Sequence, residues 1–280
     1  FGGNNSINTS STASGFKINA KTVSATNNIT LSVRGNSAPV ILNINSAPTV
    51  NRIEVSGSQN VSIKVGLDDI DGLGNATNND TSDDNVLTVV KSMSAGTLNL
   101  VVTTKGGDAD FSAADVANIE LATDLGVNDD LTVATNALIV VAQNQTNDLS
   151  ILPKTPSSNT NALRISIKDD LAAGITGNLN GGISLSNFAF LTLTNNDATT
   201  QAVLGNVVAS GTTMTIASGV QGFTAENYAL NLGVGTLRVN GTAPVNLGSD
   251  VTASDVAGAD ATGNITLGLI GSSRVGTVVT

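Results

Sequence analysis

The side chains of this sequence that could do chemistry are its carboxylates, 19 Asp against 3 Glu. Asp is short, favours turns, and supplies the closely spaced oxygens that a hard cation takes from a loop. The densest patch is Leu67-Asp-Asp-Ile-Asp-Gly72, which contributes Asp68, Asp69 and Asp71 and is followed by Asp80, Asp83 and Asp84. Alternating acids closed by a glycine let side chains and carbonyls converge on one ion, so the patch is predicted to hold a structural Ca2+. Its other reading is a solvated acidic linker, because no Glu stands at the EF-hand distance and no helix pattern flanks it. Gly106-Gly-Asp-Ala-Asp110 offers Asp108 and Asp110 as a second Ca2+ candidate, with Asp115 nearby. Glycine-aspartate loops hold calcium when they repeat in tandem, and here the phrase occurs once. Asp129-Asp130 and Asp169-Asp170 read as turn or cap residues.

Other chemistries find little material. There is no Cys, His or Trp and one Tyr, which excludes thiol and imidazole catalysis, disulfides, and zinc sites with Cys or His ligands. Paired carboxylates can hydrolyse glycosides, but that chemistry normally adds aromatic platforms for the sugar. No Gly-x-Ser-x-Gly elbow and no Walker-type phosphate loop is present. The expectation is a protein that is not an enzyme.

The elements that must position those carboxylates are strands. Period-2 alternation recurs at Ile29-x-Leu31-x-Val33, Val61-x-Ile63-x-Val65, Leu98-x-Leu100-x-Val102, Leu163-x-Ile165-x-Ile167, Ile183-x-Leu185, Phe188-x-Phe190, Leu230-x-Leu232 and Ile265-x-Leu267-x-Leu269. Each run places apolar side chains on one face and Thr, Ser, Asn or Arg on the other, as half-buried strands do. Clusters of Gly, Asn, Asp and Ser separate them and supply turns. Thr192-x-Thr194 and Thr213-x-Thr215 read as ordinary exposed strand faces. The expected fold is all-β, either tandem β-sandwich-like modules or a parallel β-solenoid, with short helical turns.

Two polar stretches divide the pattern. They predict an N-terminal β unit at 1–71, an acidic linker at 72–85, a middle unit at 86–152, a proline-bearing linker at 153–161 and a C-terminal unit at 162–280. Phe111-Ser-Ala-Ala-Asp-Val-Ala117 resembles Phe223-Thr-Ala-Glu-Asn-Tyr-Ala229 and Val251-Thr-Ala-Ser-Asp-Val-Ala257. Upstream, Gly96-Thr-Leu-Asn-Leu100 matches Gly235-Thr-Leu-Arg-Val239. The motif's Ser or Thr followed three residues later by Asp or Asn suggests a short capped helical turn, and the shared order suggests stacked modules. Asn36-Ser-Ala-Pro-Val40 and Asn45-Ser-Ala-Pro-Thr49 suggest two equivalent turns.

Composition bears on place and partners. Across 280 residues the net charge is -10, only 12% are charged and 2% aromatic, and mean hydropathy is +0.17. Twelve scattered basic residues in an acidic chain disfavour nucleic acid. No apolar run is long enough for a transmembrane helix. The chain starts at Phe1 rather than Met, which predicts processing, truncation or a fragment. Large size, acidity, 34 Asn and absence of Cys fit an extracellular, cell-surface protein, and Asn-x-Ser/Thr triplets such as Asn144-Gln-Thr146 arise by chance in such a composition.

Phrases such as Val86-Leu-Thr-Val-Val90 with Ala95-Gly-Thr-Leu-Asn-Leu100, and Asp130-Leu-Thr-Val-Ala134, resemble the strand repeats of bacterial S-layer proteins of the Campylobacter and Caulobacter type exported by type I secretion. The tandem calcium nonapeptides of many such proteins are missing. The resemblance implies a coat that assembles by itself on the cell surface, often ordered by Ca2+. Strand edges with unpaired backbone groups would join the copies. The alternatives are an extracellular filament polymerised by strand insertion, with Phe1 to Ser14 as the donor arm, and an adhesin or phage-fibre segment that binds surface glycan.

Overall fold

The computed structural model describes residues 5–10, 17–21, 27–34, 40–45, 50–57, 60–66, 87–91, 97–105, 108–127, 129–155, 159–168, 177–219, 221–225, 228–247, 250–258 and 260–267. The chain divides into two compact units, Phe1–Ala134 and Thr135–Thr280. The first carries β1 (Asn5–Ser10), β2 (Lys17–Lys21), β3 (Asn27–Arg34), β4 (Val40–Asn45), β5 (Val50–Gly57) and β6 (Val61–Gly66). It continues with β7 (Thr88–Lys91), β8 (Leu98–Thr104), β9 (Ala109–Asp110), β10 (Asn118–Leu121) and β11 (Asp130–Val133). The second unit opens with β12 (Ala137–Val141), β13 (Leu149–Pro153), β14 (Ala162–Ile167), β15 (Ile183–Leu185), β16 (Phe190–Asn195), β17 (Ala202–Val203) and β18 (Val207–Val208). Then come β19 (Thr213–Ser218), β20 (Phe223–Thr224), β21 (Leu230–Asn231), β22 (Thr236–Gly241), β23 (Val245–Leu247), β24 (Val251–Thr252), β25 (Asp255–Ala257) and β26 (Ile265–Leu267).

No strand described here pairs with its neighbour in sequence. In the first unit the sheets run β1-β3-β5-β7, β2-β4-β6-β8-β10 and β9-β11. In the second they run β12-β14-β16-β19-β22-β25, β13-β15-β18-β21-β24 and β17-β20-β23-β26. The pairings are parallel, for example β4 with β6, β16 with β19 and β23 with β26. The chain therefore visits each sheet once per coil and returns one strand further along, so the fold is a parallel β-solenoid. Sandwiches, the other expectation, need antiparallel sheets.

Register explains why alternation suffices. Ile139, Ile165, Leu193, Ile216 and Val239 stand directly opposite one another on successive strands, and all are buried. Leu163, Leu191, Met214, Leu237 and Val256 make a second inward ladder. In the first unit Ile63, Leu100 and Ile119 do the same. Each such side chain contributes about 1.5–3 kcal/mol on burial, and aliphatic side chains of similar size stack without the gaps a lone large ring would leave.

Corners carry the polar work. Asn60 Oδ1 accepts from the Thr97 amide at 2.9 Å, Asn144 Oδ1 from Asn178 at 3.0 Å, and Asn178 Oδ1 from Val203 at 2.8 Å. Each bond ties one coil to the next, which gives the abundant asparagines a structural use. Gly222 marks how closely coils approach, since a Cβ there would run into the Pro244 carbonyl oxygen.

The expected helical turns do not form: no helix occurs among the described residues. In the three similar motifs Phe223–Thr224 is β20 and Val251–Thr252 is β24, while Phe111 opens a corner after β9. β20 and β24 lie in different sheets, so the motif marks strand ends and corners, where Ser, Thr, Asp and Asn bond locally as readily as at a helix cap. The acidic stretch 72–85 lies outside the described residues, between β6 and β7 of the first unit. Residues 154–161 connect β13 to β14 inside the second.

Candidate interaction face

Of the predicted Ca2+ ligands, Asp68, Asp69, Asp71, Asp80, Asp83 and Asp84 lie outside the described residues. Asp108 and Asp110 are placed, and both are buried, at 2% and 5% exposure. Asp108 Oδ1 accepts the Asp130 amide at 2.7 Å, spanning to the following coil. Asp110 Oδ1 accepts the Ser112 amide at 2.8 Å and closes the turn that seats buried Phe111. The neighbouring Asp129 Oδ2 accepts the Gly126 amide at 2.6 Å. Among the described residues no three acidic side chains form a group able to hold a metal ion.

Asp197 lies at a corner of the second unit, 4% exposed. Burial pushes its pKa up, but the Thr199 amide at 2.7 Å, the Thr199 hydroxyl at 2.8 Å and the Thr200 amide at 2.9 Å outweigh burial and hold it below the usual aspartate value. Its amide donates to Asn195 Oδ1 at 3.0 Å, and Asn195 Nδ2 donates to Thr200 O and Gly222 O, each at 3.0 Å. This cluster is a corner brace, with Asp197 Oδ1 accepting from two backbone amides and one hydroxyl.

The surface best placed to meet a partner is the outward side of β14, β16, β19 and β22. Because Leu163, Ile165 and Ile167 point inward, Arg164 must point outward, and it is exposed. The same parity exposes Arg238 on β22. Register strings these into one column, Arg164, Thr192, Thr215, Arg238. Beside it run Phe190, Thr213 and Thr236. None of these four strands contains Asp or Glu, in a chain with 22 acidic and 12 basic residues. The first carboxylate in the sheet beyond them is Asp255, opposite Thr236.

Phe190 departs from the sequence reading, which grouped it with Phe188 on one apolar face. Asn187 adopts a left-handed conformation, φ 63°. The strand begins only at Phe190, so Phe188 is buried at the corner and Phe190 stands outside, 49% exposed. The other described phenylalanines, Phe111 and Phe223, are buried. The two arginines were visible as outward positions of their runs, but their alignment depends on coil length. Ala162 pairs with Phe190 and Phe190 with Thr213, steps of 28 and 23 residues, and no spacing rule in the sequence announces that difference.

No helix among the described residues is long and apolar enough to cross a membrane. Comparison of the chain with protein-family models, with curated proteins and with solved structures finds no match.

Proposed function

We propose that the protein is a structural, self-assembling component of an extracellular cell-surface coat of the S-layer type, with copies joined at strand edges and the assembly ordered by Ca2+ at the acidic stretch 68–84. The observation that carries this reading is the last described coil of the second unit. Among the described residues, β24, β25 and β26 stand last in their sheets' strand order. In the preceding coil Val245 and Leu247 are buried, whereas their partners Ile265 and Leu267 on β26 are only half-buried. A parallel sheet that ends with half-covered apolar residues gains both ladder bonds and burial when another strand is added. Low charge density limits repulsion between copies, and small polar outward residues keep the separate chains dispersed.

The test is light scattering and electron microscopy of the purified chain, with millimolar Ca2+ and with chelator. Sheets that form with Ca2+ and disperse with chelator support the coat. Ile265→Lys, which places a charge in the edge strand, is expected to leave the β-type circular dichroism intact and abolish assembly. Monomers at high concentration with Ca2+, one-dimensional polymers in place of sheets, or an Ile265→Lys chain that assembles normally each overturn the reading.

A further inference from the structure

We propose that the outward face of β14, β16, β19 and β22 binds an extended acidic polysaccharide, with Arg164 and Arg238 holding carboxylates and Phe190 covering a sugar face. The charge pattern comes first. Twenty-two acidic residues are distributed over the chain, yet these four strands carry two arginines and no carboxylate. The acidic residues of the chain lie mostly in its connections, so the charge this face presents is set by Arg164 and Arg238.

Geometry comes second. Arg164 and Arg238 stand three strands apart in one register column, which at the usual strand spacing is about 14 Å along a straight line. A repeating polyanion offers charges along a line, whereas a single small anion would meet only one of these guanidiniums. The Arg164 Nη2 donates to the Asn136 carbonyl at 3.1 Å, which fixes the side chain while leaving most of its donors for a planar carboxylate.

Chemistry of the intervening positions comes third. Thr192 and Thr215 lie between the arginines, each half-buried, with Thr194 and Thr213 beside them. Their hydroxyls both donate and accept, as recognition of sugar hydroxyls requires. Phe190 is flanked across the sheet by Ala162 and Thr213, small neighbours that leave its ring accessible. In a chain with seven aromatics, an exposed ring on the strand next to Arg164 offers a sugar face a stacking surface that carboxylates alone do not use. The inference is independent of how copies of the chain assemble.

The experiment is isothermal titration of the full chain with polygalacturonate, with neutral dextran as the control polymer. Binding to polygalacturonate that weakens with added salt, and none to dextran, is expected. The Arg164→Gln/Arg238→Gln chain should lose about tenfold or more in affinity, the loss expected for one or two charge-assisted hydrogen bonds. Phe190→Ala should lose severalfold with its salt dependence unchanged. Each variant is checked for unchanged circular dichroism, which these exposed positions should leave intact. Equal affinity of the double variant, equal binding of dextran, or no binding of polygalacturonate overturns the proposal. So does loss of self-association in the double variant without polygalacturonate binding, because the face would then serve the acidic stretch of a second copy.

Discussion

At the residue scale the recurring device is a side-chain amide used as a staple between coils. Asn195 is fully buried and spends its amide on three backbone groups, two through Nδ2 and one through Oδ1. Asn161 does the same with the Thr155 and Asn187 carbonyls. Truncating such a residue leaves carbonyls unpaired in the interior, so Asn195→Ala is expected to cost about 2–3 kcal/mol, read as a fall in the denaturant midpoint. Asp197 makes the related prediction in pH. Its folded pKa lies below the unfolded one, so its stabilising contribution is complete above the unfolded pKa, near 3.9, and is lost as pH falls through the folded value. The difference in Tm between the native chain and Asp197→Asn should therefore be largest at neutral pH and shrink below about pH 4. A gap that stayed constant down to pH 2 would show that the ionised form is not what the corner uses.

At the element scale each strand of the main sheet has two faces with separate consequences. Leu193 is buried between Ile165 and Ile216, and Leu193→Ala should cost about 2–5 kcal/mol by leaving a cavity in the ladder. Thr192, one residue earlier and outward, should tolerate Ala within about 0.5 kcal/mol. A chemical denaturation series on the two variants checks both at once. This division was legible in the sequence, since Leu163-x-Ile165-x-Ile167 and Leu98-x-Leu100-x-Val102 became strands with those residues inside. It failed at corners. Phe188-x-Phe190 alternated, yet a left-handed Asn187 put the two rings on different elements. The motif beginning at Phe223 looked like a capped helical turn because cap residues and corner residues bond backbone amides in the same way. The Arg and Thr column was invisible for another reason. Parity tells which way Arg164 and Arg238 face, but only cross-strand register places them on one line.

At the scale of a whole unit the solenoid is a stack of interchangeable coils, and this can be tested by removing one. Leu191 pairs with Met214, and Met214 with Leu237, so two consecutive coils are each 23 residues long. Deleting residues 213–235 removes β19, β20 and β21 together and joins Thr212 to Thr236. Leu191 then meets Leu237, Leu193 meets Val239, β17 meets β23 and β18 meets β24, with every inward residue still inward. The bond from the Thr212 hydroxyl to the Phe188 carbonyl, 2.8 Å, lies outside the deletion and survives. In a structure whose stability is a sum of coils and neighbour contacts, the shortened chain should keep its β-type circular dichroism and unfold at a lower denaturant concentration. Deleting residues 213–224 instead removes about half a coil, throws β22 out of register, and turns its inward residues against polar partners. That chain should not fold. If both deletions fold equally well, or neither does, the coils are not the repeating unit and the register ladder is not what holds this unit together.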